Sequence, residues 1–165
     1  MPTQGLAKLL REVSLMCPNV RWVHARSAGV DQVLFPELQR SDVVLTNGSG
    51  VSGTALAEFV IAAMLSFAKD IRRMVRNQMS AKWERFTVSM LSDATVGILG
   101  YGDIGRSVAA RAHALGMNVL TLKRNKASEC DCYVQEVFGA GQLMEVLPSC
   151  DYIVLTMPLT HETHA

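Results

Sequence analysis

The residues best placed to do chemistry stand in one stretch, Thr95-Val96-Gly97-Ile98-Leu99-Gly100-Tyr101-Gly102-Asp103-Ile104-Gly105. An apolar run ends there in Gly-x-Gly-x-x-Gly. A helix-like pattern continues through Arg106, Ser107, Val108, Ala109, Ala110, Arg111 and Ala112. Strand, glycine turn, helix is the order that a dinucleotide pyrophosphate needs. Gly100 can take the tight turn. Gly102 lacks a Cβ, so a diphosphate can come close to the backbone. Gly105 lets the helix lie against the strand. The first N–H groups of that helix have no intrahelical partner and point at the anion, helped by the helix dipole. Glycine triplets also arise by chance in loops, so the elements on either side of this one carry the weight against a merely structural turn.

A second group of residues bears on which dinucleotide would fit. Asn118 to Leu122 reads as the next strand of a βαβ unit. An acidic residue at its end would accept hydrogen bonds from the adenine ribose 2′-OH, whereas a basic one accommodates a 2′-phosphate. Lys123 and Arg124 stand there, followed by Asn125 and Lys126, with no Asp or Glu at the strand end. Charge-assisted hydrogen bonds from these groups favour NADP(H) over NAD(H), with NAD(H) still possible. The alternative is a pair of ordinary surface cations.

Other groups are weaker. Ser27-Ala28-Gly29-Val30-Asp31 comes after a predicted strand, and small residues there expose backbone N–H groups at a carboxyl end, where open α/β sheets bind ligands; an ordinary turn into a helix is the competing reading. The cysteines are Cys17, Cys130, Cys132 and Cys150, with no Cys-x-x-Cys spacing and no second pair of ligands near Cys130-x-Cys132, so no metal site is expected. His161 and His164 lie in a polar loop and read as exposed and idle.

These residues need elements to hold them. Leu6, Leu9, Leu10, Val13 and Met16 have helical spacing, and Pro18 stops that helix. Val20 to Ala25 and Val43 to Thr46 read as short strands, the first of them buried, and Asn47-Gly48-Ser49-Gly50 as a loop. Ser52 or Thr54 can cap the next helix. Ala55 to Met79 is helical, either as one long helix or as two with a bend, and its basic end (Arg72, Arg73, Arg76) reads as a solvated face. Trp83 and Phe86 lie in a connector. After the glycine turn come a helix over Val108 to Leu115 with Gly116 as its cap, the strand Asn118–Leu122, a polar stretch over Ser128 to Gln135, a short helix Gln142–Leu147 closed by Pro148, and a buried strand Asp151–Thr156. Met157 to Thr163 is its exit loop. The pattern predicts an α/β, Rossmann-type doubly wound parallel sheet.

Bulk properties narrow the function. The apolar fraction is 49% and charged residues are 19%, so the chain can bury a core. The net charge is +1, from 16 basic and 15 acidic residues, which gives no reason to expect nucleic acid or an anionic membrane as partner. The longest apolar stretch, Phe59 to Ala68, is too short to span a bilayer. With no signal peptide read at the start and no disulfide pattern, a cytoplasmic setting with reduced thiols is expected.

Several blocks together resemble the D-isomer-specific 2-hydroxyacid dehydrogenase family. Arg21-Trp22-Val23 leading into Ser27-Ala28-Gly29-Val30-Asp31 is similar to its substrate loop. Thr46-Asn47 through Val51-Ser52-Gly53-Thr54-Ala55-Leu56-Ala57-Glu58-Phe59 is similar to its interdomain segment and crossing helix. Thr95 to Gly105 resembles its nucleotide fingerprint, and Asp151 to Pro158-Leu159-Thr160, with Thr163, its later cofactor loop. The resemblance implies part of a flavodoxin-like substrate domain over 1–50, crossing helices and connector over 51–90, and a truncated NAD(P)-binding domain over 91–165. It implies that the N–H groups of Ala28 and Gly29 hold the substrate carboxylate and that Thr54 touches the cofactor near its nicotinamide end. Tyr101, Gly102, Asp103 and Ile104 would hold the pyrophosphate, Lys123 and Arg124 the 2′-phosphate, and Pro158, in the loop with Thr163, the nicotinamide half. It also implies a homodimer built on the crossing helix.

The family's catalytic Arg, its general acid/base His and the acidic residue that orients that His lie downstream of the Pro-Leu-Thr loop. No residue of this chain is therefore assigned a catalytic role, and His24 and His113 have no paired carboxylate in sequence reach. The resemblance implies the middle of an oxidoreductase. The parent would transfer hydride between NADPH and a small 2-oxo acid such as glyoxylate or hydroxypyruvate, or run the reverse oxidation of the 2-hydroxy acid. The chain alone is expected to be inactive, since each missing group is worth at least about 10²-fold. The alternative is a catalytically silent module that binds a dinucleotide and dimerises. S-adenosylhomocysteine hydrolases share Gly-Tyr-Gly-Asp-x-Gly, but the Ser-Ala-Gly-Val-Asp and Pro-Leu-Thr blocks do not fit them.

Overall fold

The structure, a computed structural model, describes residues 3–31, 33–123, 131–158, 160 and 163. The chain forms two compact units, Met1–Ser52 with Pro158–Ala165, and Gly53–Met157.

The first unit holds helix α1 (Thr3–Met16), strand β1 (Trp22–Ala25), a single helical turn α2 (Pro36–Gln39) and strand β2 (Val44–Asn47). The two strands pair in parallel, from Trp22 opposite Val44 to Ala25 opposite Asn47. Only α2 lacks a sequence signal, because four residues carry no periodicity. Its cause is Pro36, whose fixed φ suits a first turn and holds Phe35 extended before it. The expected burial of the first strand does not hold: Trp22 is 65% exposed and only Ala25 in β1 is buried. A sheet of two strands offers few neighbours to cover it. Among the described residues the unit's buried apolar side chains are Ala25, Val33, Phe35 and Leu38.

In the second unit, helices α3 (Gly53–Ala68) and α4 (Ile71–Met79) resolve the choice left open by the sequence in favour of two helices. Asp70 adopts a left-handed φ of 48° and its carboxylate accepts from Arg73 N–H at 3.3 Å, so one residue breaks the first helix and caps the second. Arg72 and Arg76 are exposed as expected. Arg73 is not merely solvated: it lies 4.3 Å from the Phe86 ring centroid and 2.8 Å from Glu84.

Strand β3 (Thr95–Leu99), helix α5 (Asp103–Ala114), strand β4 (Asn118–Lys123), strand β5 (Glu136–Gly139), the single turn α6 (Leu143–Val146) between two 3-10 turns, and strand β6 (Tyr152–Leu155) complete the unit. The sheet is wholly parallel, in the order β5-β4-β3-β6. Counted from β3, that is 3-2-1-4, the order of a dinucleotide-binding half. Side chains alternate across the strands. Val96, Ile98 and Val119 pack with Ala57 and Met64 of α3 and Val108, Ala109 and Ala112 of α5. Leu99, Leu120 and Leu122 pack on the opposite face with Val146 of α6. Helices thus cover both faces, as a doubly wound sheet requires. The edge strand β6 departs from its buried reading, with Val154 inside but Leu155 70% exposed. Pro148 does not close α6; it lies in the first positions of the 3-10 turn after it. Among the described residues no helix is long and apolar enough to cross a membrane.

Candidate dinucleotide-binding site

Strand β3 is buried from Val96 to Leu99 and delivers the glycine turn to the carboxyl edge of the sheet, between its neighbours β4 and β6. The strand order reverses here, and open α/β sheets bind ligands at such a point. Gly100 has φ of 100°, and a Cβ on it would lie 2.7 Å from Met157 N in the exit of β6. That exit is tied to the turn, because Thr156 N–H donates to Leu99 O at 2.9 Å and Thr156 Oγ1 donates to Gly100 O at 2.5 Å. A Cβ on Gly105 would overlap the Gly100 carbonyl oxygen, so only glycine lets α5 start this close to the strand.

Gly102 differs from both. It caps α5 in extended conformation without a side-chain hydrogen bond, and a Cβ on it would meet nothing within 4 Å. The fold does not need glycine there; the open space in front of the helix does. Arg106 N–H donates to Gly102 O, while the N–H groups of Asp103, Ile104 and Gly105 find no acceptor among the described residues. Unpaired N–H groups facing clear space suit a diphosphate. Asp103 is in the same first turn, but its carboxylate is directed at Gly53, where a Cβ on Gly53 would overlap it. Thr54, the next residue of α3, is exposed beside that junction.

At the end of β4, Lys123 Nζ lies 4.7 Å from the centroid of the Tyr101 ring, a cation–π arrangement. The Tyr101 hydroxyl donates to Asp131 Oδ2 at 2.9 Å, and Arg106 Nε donates to the same oxygen at 2.7 Å. Asp131 beside Arg106 raises the guanidinium's pKa above its ordinary value. Sequence reading missed Asp131, which lies eight residues beyond Lys123 and reaches the site only through the fold. Arg124 lies outside the described residues, as do Cys130, His161 and His164.

The remaining predicted residues fall in the first unit. There the loop after β1 is pinned by the loop after β2. Asn47 Nδ2 donates to Ala28 O at 2.6 Å, Ser27 Oγ donates to Gly29 O at 2.7 Å, and Gly48 N–H donates to Ser27 O at 3.2 Å. The carbonyls are engaged, whereas the N–H groups of Ala28 and Gly29 donate to no acceptor among the described residues. Thr163 Oγ1 donates to Pro158 O at 2.8 Å and accepts from Thr160 N–H at 2.7 Å. His24 Nδ1 and Trp22 Nε1 both hydrogen-bond Thr46 Oγ1, so His24 has a hydroxyl partner and, among the described residues, no carboxylate. Among the described residues no cluster of His, Cys, Asp and Glu could hold a metal ion.

The strand order, the glycine turn and the open helix start define a Rossmann-type nucleotide-binding domain. Residues 61–165 match the model of the D-isomer specific 2-hydroxyacid dehydrogenase NAD-binding domain, and the chain belongs to that family. It is 30% identical over 162 residues to a glyoxylate reductase of Thermococcus gammatolerans, covering 93% of this chain and 48% of that protein. A D-isomer specific 2-hydroxyacid dehydrogenase family protein from Aeromonas salmonicida superposes with a TM-score of 0.83 at 28% identity, over 96% of this chain and 50% of that one. An NADPH-dependent glyoxylate/hydroxypyruvate reductase from Sinorhizobium meliloti, solved with NADP and sulfate, gives 0.80 at 27% identity, over 92% and 47%. The chain spans about half the length of the curated relatives it matches.

Proposed function

We propose that this chain is the cofactor-holding part of a reductase that transfers hydride between NADPH and a small 2-oxo acid of the glyoxylate or hydroxypyruvate type. The observation that carries this is the open space at Gly102, at the start of α5 where the N–H groups are unpaired, next in sequence to Tyr101, on whose ring Lys123 rests. The pyrophosphate lies on Asp103, Ile104 and Gly105 N–H, and Lys123, with Arg124 next to it in sequence, takes the 2′-phosphate. Thr54 and Pro158, with Thr163 shaping its loop, serve the nicotinamide half. When bound, the nicotinamide supplies the hydride. Ala28 and Gly29 offer two N–H groups to a substrate carboxylate, held in place by the Asn47 and Ser27 hydrogen bonds. The likeness to a reductase solved with NADP supports the choice of cofactor. NAD(H) remains the weaker ligand in this reading.

Self-association belongs to the same proposal. Phe59, Phe67, Met74 and Met79 on α3 and α4 are exposed apolar side chains, a surface of the kind that two copies cover. The test of cofactor choice is fluorescence titration of the chain with NADPH and with NADH. Tighter NADPH binding, lost in Lys123→Ala, is expected; preference for NADH would remove the 2′-phosphate role of Lys123.

A further inference from the structure

The sequence places no carboxylate at the end of β4, yet the fold returns one to the mouth of the site. Asp131 Oδ2 takes two hydrogen bonds at once, from Tyr101 in the glycine turn and from Arg106 in the first turn of α5. The face of the same Tyr101 ring carries Lys123, its Nζ 4.7 Å from the centroid. One aromatic ring therefore links the cation proposed to meet a 2′-phosphate and an anion that would oppose it. Arg106, the nearest cation to the open helix start on α5 itself, is neutralised by that same anion.

We propose that Asp131 is a specificity-determining residue of the dinucleotide site, a carboxylate that holds back the affinity for a 2′-phosphorylated cofactor. This rests on the reading that the glycine turn binds a dinucleotide. Ring and hydrogen bond together put Asp131 within roughly one Debye length, about 10 Å, of the Lys123 ammonium. The Asp131 charge, balanced in part by Arg106, works at that range against a 2′-phosphate on Lys123, a group that NADH lacks. Asp131 also holds the Tyr101 phenol and pairs with Arg106. Removing the charge should therefore act on NADPH and leave NADH nearly untouched, which a purely structural role would not do.

The experiment titrates the wild-type chain, Asp131→Asn, Asp131→Glu and Arg106→Gln with NADPH and NADH at two salt concentrations, with thermal melting as the check on folding. Asp131→Asn should tighten NADPH about threefold to tenfold and change NADH less than about twofold. The shift should shrink at high salt, and Asp131→Glu should keep the wild-type ratio. Arg106→Gln leaves Asp131 without its counter-charge, so the NADPH-to-NADH preference should move the opposite way; this arm decides should Asp131→Asn fail to fold. Equal changes for both cofactors, or a ratio that neither variant moves, would overturn the role of Asp131 while leaving dinucleotide binding intact. Wild-type chain that binds neither cofactor would overturn both.

Discussion

Strands β3 and β4 bury nearly every apolar side chain they carry, whereas β1 and β2, also parallel and rich in apolar residues, bury only Ala25. Strand composition is similar in the two regions; neighbours are not. Helices α3 and α5 cover one face of the larger sheet and α6 the other, so a run such as Val96-Gly97-Ile98-Leu99 meets packing on both sides. In the two-stranded sheet Trp22 and Val44 have no such cover. An apolar β-rich run therefore announces a strand, and the elements around it decide whether that strand is core.

The largest expected effect comes from this contrast. Ile98→Ala removes a fully buried side chain and should cost about 2–5 kcal/mol, because the close-packed sheet cannot collapse onto the cavity. Trp22→Ala removes a larger side chain that is mostly exposed and gives up one hydrogen bond to Thr46, so it should cost about 1 kcal/mol or less. Denaturant melts of the two variants measure the difference. Equal losses would mean that β1 is core after all.

The same contrast explains what the sequence made legible. The glycine turn could be read because each glycine acts on its immediate surroundings: a positive φ at Gly100, a strand–helix approach at Gly105, a clear approach at Gly102. Strands β3 and β4 and helix α5 could be read because long apolar periods survive where both faces are packed. Strand β5 could not, since Val137 and Phe138 are its only apolar residues and it lies at an edge. Asp131 could not, because its partners Tyr101 and Arg106 lie 30 and 25 residues away. Arg73 looked like part of a solvated run because its partners, Glu84 and Phe86, sit in a connector without periodicity.

A second prediction separates fold from function within the glycine turn. Gly105→Ala forces a methyl group into the Gly100 carbonyl and should destabilise the second unit by about 1–3 kcal/mol. Gly102→Ala meets open space and should change stability by no more than about 0.5 kcal/mol. Cofactor affinity should nevertheless fall at least tenfold in Gly102→Ala, since the methyl group would occupy the approach proposed for the pyrophosphate. Melting and NADPH titration of the same two samples give both readouts. A Gly102→Ala chain that binds NADPH like wild type would detach the glycine pattern from ligand binding.

The smallest expected effect is acid sensitivity, and among the described residues Glu37 and Glu84 report it, one in each unit. In the second unit Glu84 is held down to about 2 from an ordinary 4.5 by hydrogen bonds from Arg73, Asn77 and Lys82, in that order. In the first unit Glu37 is lowered from 4.5 chiefly by its hydrogen bond from Arg11. Both acids are depressed on folding, so both lend stability above pH about 4.5 and lose it as pH falls, Glu84 down to pH about 2. Water screens both pairs, which keeps each contribution small. The melting temperature of wild-type chain should therefore drop as pH falls from about 4.5 towards about 2, the range over which Glu84 is held down, with Glu37 lowered in the same direction. Glu84→Gln should flatten that drop more than Glu37→Gln, because Glu84 has three donors and the larger depression. The reverse order would mean that the Arg11–Glu37 pair, not the clasp of α4 onto its connector, is the more firmly held of the two.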